Sequence, residues 1–171
     1  PPTRWQPERW RGHPSDAVAQ LEMADALTRA RRDWVGRDLR QSVLTNLGWA
    51  YGSVGREHEA VRVLRHAAEN GDVVALNNLG SMLGRLGQWD DARRVLERAH
   101  ERDPDDANVE SNLGWIYANL GHLEGATALL EDAIVKQPGE PSAHGNLGWV
   151  RLRSGDPGAA LTALAVAQSL D

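Results

Sequence analysis

Small and apolar residues return at fixed distances along most of this chain, against a polar background. Glycine stands at Gly48, Gly80, Gly114 and Gly148, with spacings of 32, 34 and 34 residues. Leu47, Leu79, Leu113 and Leu147 precede these markers. A second glycine follows seven residues later, at Gly55, Gly87, Gly121 and Gly155. Alanine comes at offset twelve (Ala60, Ala92, Ala126, Ala160) and again at nineteen (Ala67, Ala99, Ala133, Ala167). Between them, at offset sixteen, stands leucine (Leu64, Leu96, Leu130, Leu164). Self-similarity at such a period signals stacked supersecondary units, none of which can bury its apolar face alone. Each unit predicts helix, short turn, helix. The second glycine suits a left-handed C-cap, where the first helix must stop. Asp156-Pro157 reads as an N-cap followed by proline at the first helical position. Pro104 and Pro138 end the second helix of their units. The marker glycine and the first alanine are expected to face each other, so that paired helices approach closely with the leucines beside them.

Both ends of the chain break the pattern. Ser15 can cap a helix running to about Arg32, with Val18, Leu21, Ala24, Leu27 and Ala30 at helical spacing. Residues 15–40 are expected to form a capping helix or degenerate half-unit over the first repeat, with Trp34 plugging the junction. Residues 1–14, PPTRWQPERWRGHP, hold four prolines and no helical period, which predicts an extended segment. At the other end, PGAALTALAVAQSLD carries no charge from 157 to 170. A terminal repeat normally shows a polar outer face because nothing stacks on it. The expectation is that either more chain follows Asp171 or two copies pack end to end through this helix, most simply as a two-fold homodimer.

The pattern resembles the tetratricopeptide repeat, a helix-turn-helix unit of about 34 residues. With its first position at Gln41, the first unit matches at Leu47, Gly48, Tyr51, Gly55, Ala60, Leu64 and Ala67. The resemblance covers residues 41–171 and divides them into four units, 41–72, 73–106, 107–140 and 141–171. It implies an all-α fold, a right-handed superhelical solenoid. The spacing contracts around Glu69-Asn70-Gly71-Asp72. Position four is Leu44 and Leu76 early but Glu110 and His144 later, and position eleven is Tyr51, Leu83 and Tyr117, then Arg151. The last unit is thus the least regular.

In this family the first helix of each unit lines the concave side, and a few of its positions face the ligand. Position six is Asn46, Asn78, Asn112 and Asn146. An amide carries both donor and acceptor and can bond both groups of one peptide unit. The repeated amides are similar to the asparagine ladder with which some family members hold an extended peptide; bonding to a neighbouring helix is the other reading. Position nine is Trp49, Ser81, Trp115 and Trp149. Tryptophan is enriched at binding hot spots, although each ring can equally stack on the next unit. Gly52, Gly84 and Ala118 at position twelve are expected to leave pockets beside the rings. Arg85, Asn119 and Arg153 occupy position thirteen and complete the expected groove. An extended or proline-containing peptide fits such a groove better than a flat helix. The first ten residues, with Trp5 and Trp10, are one candidate occupant.

Composition then narrows the function. A net charge of -5 argues against nucleic acid. Residues 1–40 hold eight Arg against six acids, a balance of +2, which leaves -7 for the remainder. No apolar run reaches the roughly 18 residues of a membrane helix, so no membrane partner is expected. The absence of cysteine excludes thiol chemistry and cysteine metal sites. The six histidines do not fall at metal-ligand spacing on one helix face, and no phosphate loop or nucleophile motif occurs. His144 and Glu110, equivalent in adjacent units, are expected within reach of each other as a structural pair. No cofactor, metal or enzymatic activity is expected. The reading is a cytoplasmic bacterial protein-binding scaffold. The alternative is the sensor or docking region of a larger multidomain regulator, which the Pro1 start favours.

Overall fold

The computed structural model describes residues 14–29 and 34–170, with side chains at 15–29 and 38–170. The expectations for Trp5, Trp10 and the Trp34 ring lie outside the described residues. All described secondary structure is helical, and the fold class is the expected all-α helix-turn-helix solenoid. The chain divides into two compact units, residues 1–86 and 87–171.

The first unit holds α1 (Pro14–Arg29), α2 (Trp34–Ser53), α3 (Glu57–Ala67) and α4 (Val73–Arg85). Each helix packs on the next, and α2 also touches α4. Its core is built from Leu44, Leu47 and Tyr51 of α2, Ala60, Leu64 and Ala67 of α3, and Leu76, Leu79 and Leu83 of α4. Helix α1 lies on α2 through Ala17, Val18 and Leu21. Its expected apolar stripe does not continue: Leu27 is exposed, and the buried positions further along are Asp25 and Thr28. Asp25 is tolerated there because two guanidinium groups meet it. Arg29 Nε donates to Asp25 Oδ2 at 2.9 Å, and Arg40 Nε of α2 donates to Oδ1 at 3.1 Å.

Burial alone pushes the Asp25 carboxyl up, but the hydrogen bonds and charges of Arg29 and Arg40 outweigh it and hold the group below its ordinary 3.8. A carboxylate lowered on folding adds stability above its unfolded value, and that stability is lost as pH falls through the folded one. The acid unfolding limb of the native chain, followed by circular dichroism below pH 4, should therefore flatten in Asp25→Asn. Identical acid limbs would show that the carboxylate contributes nothing to folding.

The contracted spacing has a local cause. After α3 a single 3-10 turn, Ala68–Asn70, leads to Gly71 at φ 74°. Asp72 then caps α4, accepting from the Ala75 N–H at 2.7 Å.

The second unit holds α5 (Trp89–Arg102), α6 (Ala107–Asn119), α7 (Leu123–Lys136), α8 (Pro141–Arg153) and α9 (Pro157–Leu170). These helices also pack in sequence, with α6 touching α8. Gly55, Gly87, Gly121 and Gly155 all have φ between 72° and 88°, and no neighbour would obstruct a side chain there. Only the left-handed backbone demands glycine at these helix ends. At Asp156 the expected cap forms, accepting from the Ala159 N–H at 3.0 Å.

The marker glycines have a different principal neighbour from the one expected. A Cβ on Gly48, Gly114 or Gly148 would lie 2.3, 2.8 or 2.7 Å from Cγ of Leu64, Leu130 or Leu164. The alanine of the opposing helix contributes its backbone, with Ala126 O and Ala160 O each 3.2 Å from that point. The glycine therefore makes room for the offset-sixteen leucine, which fits against the bare helix face.

Glu110 replaces the apolar position four with a carboxylate that is only 3 % exposed. The sole lysine of the chain answers it. Lys136 Nζ donates at 2.7 Å to both Glu110 Oε1 and Pro104 O, tying the end of α7 to the start of α6. Glu110 Oε2 has no partner among the described residues. The expected contact between Glu110 and His144 is not formed. His144 Nε2 pairs instead with Pro138 O at 3.0 Å, in the turn just before its own helix, while Glu110 is taken by Lys136.

Candidate functional site

The first helices of the repeats, α2 and α4 in one unit and α6 and α8 in the other, carry the expected groove residues. At position six Asn46, Asn78, Asn112 and Asn146 are all half-buried. Asn112 has a further interaction. A helical spacing of three residues places each asparagine one turn before position nine. There, Trp49 is 38 % and Trp149 is 37 % exposed.

Trp115 behaves differently. It is half-buried, and its ring meets Trp89 of α5 edge-on, with centroids 5.4 Å apart and an interplanar angle of 80°. Such edge-to-face pairs are a favoured arrangement of the aromatic quadrupoles. Asn119 Nδ2 donates to Trp115 O at 2.8 Å, one turn back on the same helix. Part of its amide is thus already used.

The two position-thirteen arginines repeat one geometry. Arg85 Nη1 donates to Gly52 O at 3.1 Å, and Arg153 Nη1 donates to Ala118 O at 2.5 Å. Each acceptor is the position-twelve carbonyl of the preceding repeat. These carbonyls lie at the end of α2 or α6, where the helix dipole places partial negative charge, so the guanidinium is attracted there. Arg85 Nη2 also bonds Glu57 Oε1 at 2.5 Å. The Arg153 guanidinium carbon sits 4.9 Å over the Trp149 ring centre, within cation–π range.

The small residues at position twelve do not leave the expected pockets. The space beside Gly52 is taken by Met82, whose sulfur would lie 2.6 Å from an added Cβ. Gly84 and Ala118 are buried. Within the first unit, α4 packs on α2 and so fills the space beside Gly52 that the sequence suggested would be open.

At position eleven two tyrosines reach back to a helix that precedes their own repeat. Tyr51 OH donates to Glu22 Oε1 at 2.5 Å, and Tyr117 OH to Glu97 Oε1 at 3.1 Å. Burial and the neighbouring carboxylate push the Tyr51 phenol up to about 12. Arg151 stands where tyrosine would be and pairs with Glu131, which follows its marker glycine at the same offset as Glu97. The partner is thus retained while the ring is lost. A cavity of about 530 Å³ opens beside Arg151 between α7, α8 and α9, lined by Ile134, Val135, Leu147, Ala163 and Val166 among others. Among the described residues, no cluster of three or more His, Asp or Glu is arranged to hold a metal ion. No helix there is long and apolar enough to cross a membrane.

Comparison with solved structures gives the same architecture. MamA 41-end from Desulfovibrio magneticus RS-1 superposes with a TM-score of 0.72 at 24% identity, over 95% of this chain and 89% of that one. MamA AMB-1 gives 0.66 at 25% identity, over 92% and 94%. No curated protein matches. Tetratricopeptide repeat models match residues 45–107, 83–147 and 141–165. These matches run through the glycine, alanine and leucine positions whose packing is described above, and the chain belongs to the tetratricopeptide repeat family.

Proposed function

We propose that this chain is a non-catalytic scaffold that holds an extended peptide or protein segment along the first helices of its repeats. The supporting observation is the paired asparagine and tryptophan at positions six and nine. Trp49 and Trp149 leave more than a third of their surface exposed, one helical turn from Asn46 and Asn146. Large rings with a polar handle are the side chains from which binding hot spots are commonly built. The amides supply donor and acceptor for the peptide backbone, and the rings supply the apolar contact.

The arginines have a narrower part in this reading. Arg85 and Arg153 each already hold a carbonyl of the preceding repeat. They brace adjacent first helices, and Arg153 also fixes the Trp149 ring for contact.

The test is a peptide selected from a random library on the native chain. Asn146→Ala and Trp149→Ala should each weaken its binding by about 1 to 3 kcal/mol, with the melting temperature nearly unchanged. Normal binding by variants that melt much earlier would make these residues structural and overturn the reading.

A further inference from the structure

We propose that the cavity between α7, α8 and α9 binds a small phenol with an apolar para substituent, its hydroxyl bonded to Glu131. The repeat register identifies the site. One repeat earlier, the ring of Tyr117 lies over Gly125, where an added Cβ would come within 3.0 Å of it, and its OH donates to Glu97. In the last repeat Arg151 and Ala159 take the places of Tyr117 and Gly125, while Glu131 keeps that of Glu97. A cavity of about 530 Å³ opens beside them. Its lining changes character as well. Ile134, Val135 and Val166 stand where the preceding repeat has His100, Glu101 and Asp132. The fold does not require apolar side chains there, since ionisable ones serve at the equivalent positions. Val135 is 81 % exposed and gains little from burial within the chain. The α9 side of the cavity is also independent of whatever follows that helix. Helices α3 and α7 each have a further helix packed on them. Even so, Arg62, His66, Ala128 and Asp132, the counterparts of Thr162 and Val166, stay exposed.

The chain itself shows which ring chemistry fits. Tyr51 lies under the Arg56 guanidinium, 4.4 Å from its ring centre. The Tyr51 OH donates to Glu22 Oε1 at 2.5 Å, and Arg56 Nη1 meets the same oxygen at 3.8 Å. One carboxylate thus serves a phenol and a guanidinium together, as its lone pairs permit. In the cavity, the Arg151–Glu131 pair supplies the same two groups. The chain's two tyrosines, Tyr51 and Tyr117, are engaged in other repeats. A phenol entering the cavity stacks on the Arg151 guanidinium and donates to Glu131. Ile134 and Val135 follow Glu131 by about one helical turn, so a para substituent extends over them toward Val166. An aromatic carboxylate fits less well, because Glu131 would repel it. A cavity of this size suits a small molecule. Arg151 lies two residues past Trp149, on the other side of α8. Phenol binding is therefore independent of the peptide groove.

The test is calorimetric titration of para-ethylphenol into the native chain. Binding is expected with a Kd below about 1 mM, the range open to a ligand of so few atoms. Val135→Glu restores the residue type of the preceding repeat at an exposed position. It should weaken binding at least about tenfold with an unchanged circular dichroism spectrum. Arg151→Tyr supplies the ring from the chain itself and should lose binding to the same degree. Trp149→Ala should bind the phenol as the native chain does. No heat of binding up to the solubility limit of the phenol would overturn the proposal. Unchanged affinity in Val135→Glu or in Arg151→Tyr would do the same. Loss of affinity in Trp149→Ala would place the ring in the peptide groove instead and equally overturn it. Equal affinity for para-ethylanisole, whose methylated oxygen cannot donate, would remove the hydroxyl bond to Glu131 on which the assignment stands.

Discussion

Leu130→Ala should lower the unfolding free energy by about 3 to 5 kcal/mol, the range for a large-to-small change in a closed core. The same substitution one repeat later, Leu164→Ala, should cost about 1 kcal/mol or less. The two leucines hold the same place in the repeat. Each fills the gap left by a marker glycine, at Gly114 and Gly148 respectively. They differ in what covers them: Leu130 is fully buried, with α8 packed on α7, while Leu164 is 43 % exposed. Truncating Leu130 leaves a cavity that its neighbours cannot fill. Truncating Leu164 removes surface that is already wet. Chemical denaturation at dilutions below any self-association checks the pair. Equal losses would mean that the leucine–glycine contact within one repeat, rather than stacking by the next, carries the energy.

The second large effect is an asymmetry at the Glu110–Lys136 pair. Lys136→Met should destabilise the fold by about 3 kcal/mol or more, because it strands a buried carboxylate without its counter-charge. Glu110→Leu should be neutral or stabilising, by about 1 to 4 kcal/mol. Leucine already occupies this position as Leu44 and Leu76, both buried. An apolar side chain also removes the cost of Glu110 Oε2, which is buried without a partner. The lysine is held above its ordinary 10.5 by the hydrogen bond it donates to Glu110. The stabilisation from this pair is therefore fully present below that value and fades as pH rises through the higher, folded one. Thermal melts of both variants at neutral pH test the asymmetry. Destabilisation by Glu110→Leu as large as that by Lys136→Met would show the pair to be a net gain.

The sequence by itself determined the fold class, the family and the helix stops. Those features depend on local backbone chemistry and on residue sizes repeated at a fixed period. Gly55, Gly87, Gly121 and Gly155 were legible because a left-handed C-cap leaves little choice of residue. Marker glycines and offset leucines were legible because close helix pairing leaves little volume. The candidate groove was legible only as residue types at family positions. Their freedom depends on neighbours from other repeats, which a period in the sequence does not specify. Met82 takes the space beside Gly52, Trp89 meets Trp115, and the arginines turn to carbonyls of the preceding repeat. Tertiary structure also replaced the Leu27 expected in the buried stripe of α1 with Asp25, since guanidinium groups from two helices can neutralise a carboxylate that hydropathy would exclude. It likewise separated His144 from Glu110 and left Leu164 uncovered while its repeat equivalents are buried. In each case the deciding quantity is contact across helices, and such contact exists only once the chain has folded.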